Sequence, residues 1–159
     1  MKATKLVGVL SIIAGLIMIV AGAIVWGTVT SQLKAENITV PNEPDQVVFG
    51  MAGKQVAGPF GAYAQADIIN KHALAGSNGE TYASLGTLAR EAREAGDEAK
   101  AEEYQAQRNT MMNASFLRSS LFGSVIAYGV SALVMGLGLL FGLIGWALTT
   151  IRTSNRVEA

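Results

Sequence analysis

The chain has 159 residues, half of them apolar and only 15% charged, with a mean hydropathy of +0.34. Those proportions point away from a soluble domain and towards a small membrane protein. Twelve basic and twelve acidic residues cancel, so no net field draws the chain to nucleic acid, and the absence of cysteine excludes disulfides.

Residues 1–5 form a short tail carrying Lys2 and Lys5 and no acid. The next charge after Lys5 is Lys34. Leu6 to Trp26 amounts to about 30 Å of helix, the thickness of a hydrocarbon core. We therefore expect a first transmembrane helix over residues 6–27, with the lysines at one interface and Trp26 at the other. A cleaved signal peptide is the competing reading, with Ala21-Gly22-Ala23 as the small-residue cut site. Against it, Ile24, Val25 and Trp26 continue the apolar run past that cut, which favours an uncleaved anchor.

Residues 28–118 read as an extracytoplasmic domain. Ile38-Thr39-Val40 and Gln46-Val47-Val48-Phe49 flank a turn at Pro41 and Pro44 and are expected to pair as a small hairpin. Gly50 to Gly61, with Pro59, reads as a connector. Ala62 to Leu74 turns helical, with Tyr63, Ala66, Ile69 and Ala73 at three- and four-residue steps and Asp67 one turn from Lys71. Gly76-Ser77-Asn78-Gly79 ends that helix. Thr81 to Ala95 is a second helical stretch, and Gly96-Asp97 reads as a stop followed by a new N-cap. Nothing breaks the helix formers after Asp97, so one helix is expected to run on into the membrane. Met111, Met112, Phe116 and Leu117 on it need neighbours, and the Ala62 helix is the obvious cover.

Ser119 to Ile151 holds no charge and is bounded by Arg118 and Arg152. It corresponds to roughly 50 Å of helix, more than a bilayer core requires. Tyr128 and Trp146 are separated by about 27 Å of helix, the spacing of residues anchored at two interfaces. A second transmembrane helix is expected over residues 119–149, with residues 150–159 as a tail. Lys2 and Lys5 at one end, and Arg152 and Arg156 at the other, keep both termini cytoplasmic by the positive-inside rule. The loop between, with eight basic and eleven acidic residues, suits an outside location. The expected fold class is thus all-α: a two-span transmembrane hairpin, a mostly helical extracytoplasmic domain, and a long second helix projecting above the bilayer.

Chemistry is sparse. His72 is the single histidine, whereas zinc and non-haem iron sites normally take two or more His or Cys ligands. Glu91, Glu94, Asp97, Glu98, Glu102 and Glu103 alternate with Arg90, Arg93, Lys100 and Arg108 and read as a solvated helix face. Ser77 lies in no Gly-x-Ser-x-Gly elbow, and Gly136-Leu137-Gly138 follows no strand. We expect no catalytic residue, no metal site and no cofactor.

The small residues carry the sharpest pattern. Gly8, Ser11, Gly15 and Gly22 share one face of the first span. Ala127, Ser131, Gly138, Gly142 and Gly145 share one face of the second. Such stripes let backbones approach where lipid offers no hydrophobic drive, and they predict a packing seam between the two spans. Gly15 and Gly138 both fall near mid-bilayer, so the spans are expected to pack as an antiparallel hairpin with those two facing. Gly129, Ala132 and Gly136 form a second stripe roughly opposite. It reads either as the ordinary glycine content of membrane helices or as a docking face for another chain.

GPFGAYAQADIINKHAL (58–74) and NASFLRSSLFGSVIAYGVSALVMGLGLLFGLIGWAL (113–148), with both spans, resemble a group of small actinobacterial two-span membrane proteins often labelled aromatic ring-opening dioxygenase. That name implies an iron enzyme with a two-histidine, one-carboxylate site. His72 alone does not supply one. The expectation is a non-enzymatic cell-envelope protein, an accessory or stabilising subunit acting through helix and loop contacts. Its partners would be the bilayer and other membrane subunits or its own copies, not nucleic acid. The alternative is lipid or small-molecule binding between the extracytoplasmic helices, in the groove beside the Ala62 helix.

Overall fold

A computed structural model describes residues 2–151, and among these the chain is helical, with no strand. The elements in order are α1 (Lys2–Ala35), a 3-10 turn (Val48–Gly50), α2 (Pro59–Gly76), α3 (Tyr82–Glu94) and α4 (Glu98–Thr150). Helices α1 and α4 are long and apolar enough to cross a membrane. The chain divides into two compact units. One takes the chain up to Thr30 and from Ala127 onward, and the other is Ser31–Ile126.

In the first unit, α1 and α4 pack antiparallel. Gly8 meets Gly145, Gly15 meets Gly138, and Gly22 meets Ser131. On both helices these residues recur every seven positions, the repeat that keeps one seam in register when helices coil around each other. Glycine inside a helix costs about 1 kcal/mol relative to alanine, so this seam is sustained by packing and not by helix propensity. The opposite faces are bare. Leu6, Ile17 and Ile24 on α1, and Leu133, Leu139 and Trp146 on α4, are each more than half exposed.

The second unit begins within the last turns of α1, at Ser31. Glu36, Asn37 and the residues after them leave the helix, Asn37 adopting φ 52°. Ile38 to Val40 then pair with the segment after Gly53, not with Gln46–Phe49 as expected. Val40 N–H donates to Lys54 O (3.0 Å), Gly53 N–H to Val40 O (3.1 Å) and Val56 N–H to Ile38 O (2.8 Å). The prolines account for the difference. The chain coils after Pro41, with Gln46 and Val47 both donating to Glu43 O, so that segment offers no extended partner. Gly53, at φ 70°, turns the chain back instead. Val40, Val47 and Val56 are buried under this loop.

Pro59 stands in the first turn of α2, where its missing N–H is unneeded, and starts the helix three residues earlier than the apolar spacing implied. Helix α3 opens on a capping box: the Thr81 side chain accepts from Ser84 N–H, and Ser84 Oγ accepts from Thr81 N–H. It stops at Gly96 (φ 77°), and Asp97 caps α4 by accepting from Lys100 N–H at 3.1 Å. From there α4 runs 53 residues, about 80 Å, without interruption.

Helix α2 lies antiparallel to the first part of α4, from Tyr63 on Phe122 (ring centroids 5.8 Å) to Ser77 on Met111 (3.9 Å). Between them, Ala73, Leu85, Met111 and Ala114 form a small core, with Ile69, Leu74 and Tyr104 packed on it. The cover expected for Met111 thus comes from α2 and α3 together. Phe116 and Leu117 remain exposed.

Candidate functional site

A glycine seam works by removing atoms, so its geometry is read from what a side chain would strike. A Cβ on Gly8 would stand 2.8 Å from Gly145 O, and one on Gly145 would stand 2.5 Å from Gly8 O. On Gly138 it would lie 2.6 Å from Gly15 O, and on Gly15 it would run into Gly138 O and the Gly142 N–H. On Gly22 it would meet Ser131 O at 2.9 Å. Five of these collisions are with the facing carbonyl oxygens, which cannot rotate aside.

The other predicted seam residues are placed differently. Ser131 is buried and its hydroxyl donates back to Ala127 O at 2.7 Å, which satisfies it inside its own helix. Gly142 brings its backbone to Gly15, but a Cβ on Gly142 would face open space. It lines an apolar cleft of about 200 Å³ with Ile12, Gly15, Ile19 and Gly138. Ser11 is half-buried. In the second stripe Gly129, Ala132 and Gly136 are all exposed, and a Cβ on either glycine would meet nothing within 4 Å.

One polar group closes the Thr30 end of this seam. Tyr128 is 1% exposed, its ring edge-on to Trp26 with centroids 4.6 Å apart, and its hydroxyl bonds Thr30 Oγ1 at 2.8 Å. Trp26 and Tyr128 were both read as interface anchors; here they also pack on each other. An aromatic ring with a satisfied hydroxyl suits a level where apolar and wet surroundings meet.

In the Ser31–Ile126 unit, the acids from Glu91 to Glu103, with Arg90, Arg93 and Lys100, are exposed as a solvated surface, whereas Arg108, expected on that face, is half-buried with its Nε covered. Lys71 pairs with Asp67 (2.8 Å) and also donates to Gln46 O (2.7 Å). Arg90 pairs with Glu94. His72 Nε2 lies 3.0 Å from Glu43, tying α2 to the proline turn. Among the described residues, no three His, Cys, Asp or Glu side chains are grouped to hold a metal ion. The interface between α2 and α4 is filled by the small core. Open space lies on the α3 side, in a cleft of about 420 Å³ lined by Ser77, Glu80, Leu88, Lys100, Glu103 and Tyr104. Ser77 is 2% exposed, and its hydroxyl is spent on Glu80 O at 2.6 Å, with no base beside it to make it a nucleophile.

Two contacts carried no sequence signal. Arg108 stacks over Tyr82, guanidinium to ring 4.2 Å, above Gly86, whose missing side chain makes the room. Phe49 of the 3-10 turn, Phe60 and Tyr63 of α2, and Phe122 of α4 come together edge to face although they belong to three separate elements.

The fold thus defines a class: a pair of long apolar helices joined by small residues, carrying a helical insertion. Comparisons with protein-family models, curated proteins and solved structures find no match.

Proposed function

We propose that this chain is a two-span membrane protein without enzymatic activity, serving as an accessory or stabilising subunit within a larger envelope complex. The observation that carries the reading is the glycine seam of α1 and α4. It joins two helices by backbone proximity while leaving their large apolar side chains outward. In water such a surface would aggregate; in lipid it is the ordinary outer surface of a helix pair. The lysines at the start of α1 and the long uncharged runs within both helices support insertion with both termini cytoplasmic and residues 28–118 outside.

The resemblance to the actinobacterial two-span group belongs with this proposal. The dioxygenase activity in that group's usual name does not, because one histidine and no cysteine leave the iron without its usual ligands. The test is purification from native membranes in mild detergent, followed by mass spectrometry of the chains retained. Stoichiometric partner chains are the expected result. A lone protein carrying an equivalent of iron, lost on His72→Ala, would overturn it.

A second reading, small-molecule binding, is favoured by the cleft beside Tyr104. Lys100→Ala and Tyr104→Ala should then remove a co-purifying ligand without changing partner recovery.

A further inference from the structure

The aromatic cluster of the Ser31–Ile126 unit is built at a backbone cost. Phe49 sits in the 3-10 turn at φ 58°, and Gly50 follows at φ 60°. A bulky residue in the left-handed region is strained, and strain of this kind persists only where the surrounding structure holds it in place. Here it buries nothing. Phe49 is 61% exposed and Phe60 is 62% exposed. The turn instead sets Phe49 edge-on to Phe60 (5.4 Å) and to Tyr63 (5.6 Å), and Tyr63 rests on Phe122. Phe122 belongs to α4, one turn past Arg118 and inside the uncharged run that starts at Ser119. Arg118 itself lies against the Phe122 ring at 5.9 Å. At the end of α1's uncharged run, Lys34 O accepts from Gln55 Nε2 (3.4 Å), so the same loop that carries Phe49 also sits at that boundary and contributes Lys54. Of the loop's three acids, Glu43 is engaged by His72, and Glu36 and Asp45 are exposed.

We propose that Phe49, Phe60 and Tyr63, mounted on Phe122, form an aromatic keel that sits in the headgroup and acyl boundary of the bilayer crossed by α1 and α4. The occupant of this face is lipid, and the reason is continuity. The cluster is attached to α4 where its charged sequence gives way to its uncharged run. It combines exposed rings with Lys34, Lys54 and Arg118, the pairing of apolar and cationic groups that suits a lipid interface. Tyr63 supplies a ring with a polar tip, as interfacial belts do. The keel would hold the loop against the membrane surface independently of any partner chain. It rests on the reading that the two helices span a bilayer.

The chain has no cysteine, so single nitroxide labels are placed cleanly. Phe49→Cys and Phe60→Cys report the keel, Val20→Cys reports the span, and Asn78→Cys reports the solvated turn after α2. The labelled proteins are reconstituted in vesicles of zwitterionic and anionic phospholipid. Collisions with oxygen, which partitions into lipid, and with a water-soluble nickel chelate are then compared by power saturation. The expected result at positions 49 and 60 is loss of most nickel collisions relative to position 78, with oxygen collisions between those at 78 and 20. Nickel access at 49 and 60 equal to that at 78, with position 20 protected, would overturn the keel and leave the membrane reading intact. Protection from both reagents would mean a protein surface, such as a second copy, covers the patch, and would overturn the lipid assignment. Nickel access at position 20 equal to that at 78 would overturn both readings together.

Discussion

Gly15 and Gly136 are the same residue type in the same sort of helix, yet their surroundings predict opposite outcomes. A side chain at Gly15 must displace the facing backbone at Gly138 and Gly142, whereas one at Gly136 meets nothing within 4 Å. Gly15→Ile should therefore destabilise the protein by about 3 kcal/mol or more, the upper range for overpacking. Gly136→Ile should change stability by less than about 0.5 kcal/mol, as surface substitutions usually do. Thermal unfolding in detergent, read side by side, checks both. If a partner docks on the Gly129–Gly136 stripe, Gly136→Ile will still reduce its recovery in co-purification, and unchanged recovery would remove that docking face. Tyr128 allows a finer measurement. Tyr128→Phe keeps the Trp26 contact and loses the Thr30 hydrogen bond, which should cost about 0.6 kcal/mol, typical of side-chain bonds between membrane helices. Tyr128→Ala also removes the buried ring and should cost about 3–5 kcal/mol. Equal losses for the two variants would mean the hydroxyl, and not the ring, holds this end of the seam.

At the scale of elements, α3 is the piece whose stability depends most on its ends. It is 13 residues long, short for an isolated helix in water, and only Leu85, Ala89 and Ala92 on it are buried. Its capping box and the Gly96 stop therefore matter out of proportion to their size. Thr81→Ala should lower stability by about 1 kcal/mol. Hydrogen exchange should show the loss as faster exchange confined to the first turns of α3. Leu85→Ala removes the side chain central to the small core and should cost about 2–5 kcal/mol, with faster exchange in α2 and α3 alike. Uniform acceleration in both variants would mean that α3 does not open as a separate element.

For the whole molecule, the charges flanking the apolar helices predict which side the loop occupies. Single cysteines at Ser77 and Ser154 separate the two sides, because no native thiol competes. On intact cells with any outer layer made permeable, a membrane-impermeant maleimide should label position 77 and spare 154. The reverse pattern would invert the topology while leaving two spans, and labelling of both would mean that the chain does not cross as a hairpin. Ser154, Arg152 and Arg156 lie outside the described residues, so this experiment carries the orientation argument by itself.

Much of the architecture was legible because its physics is local. Uncharged runs longer than a bilayer core, a glycine with an aspartate behind it at 96–97, and helix formers without a break after Asp97 each act through neighbouring residues. The small-residue stripes were legible for a related reason: helical periodicity alone places Gly8, Gly15 and Gly22 on one face. Depth in the bilayer added the partner register, since Gly15 and Gly138 both fall near its middle, and the packed pair sets those two against each other. Only the structure shows that Gly142, on the same stripe, has its Cβ direction open. The loop was misread because strand pairing is a non-local choice. Gln46–Phe49 has strand-like composition, but the turns after Pro41 use its backbone N–H groups, and the segment beyond Gly53 takes its place. The aromatic cluster and the stacking of Arg108 on Tyr82 lay beyond sequence reading altogether. Each joins residues from separate elements, and no spacing within one element encodes which rings will meet.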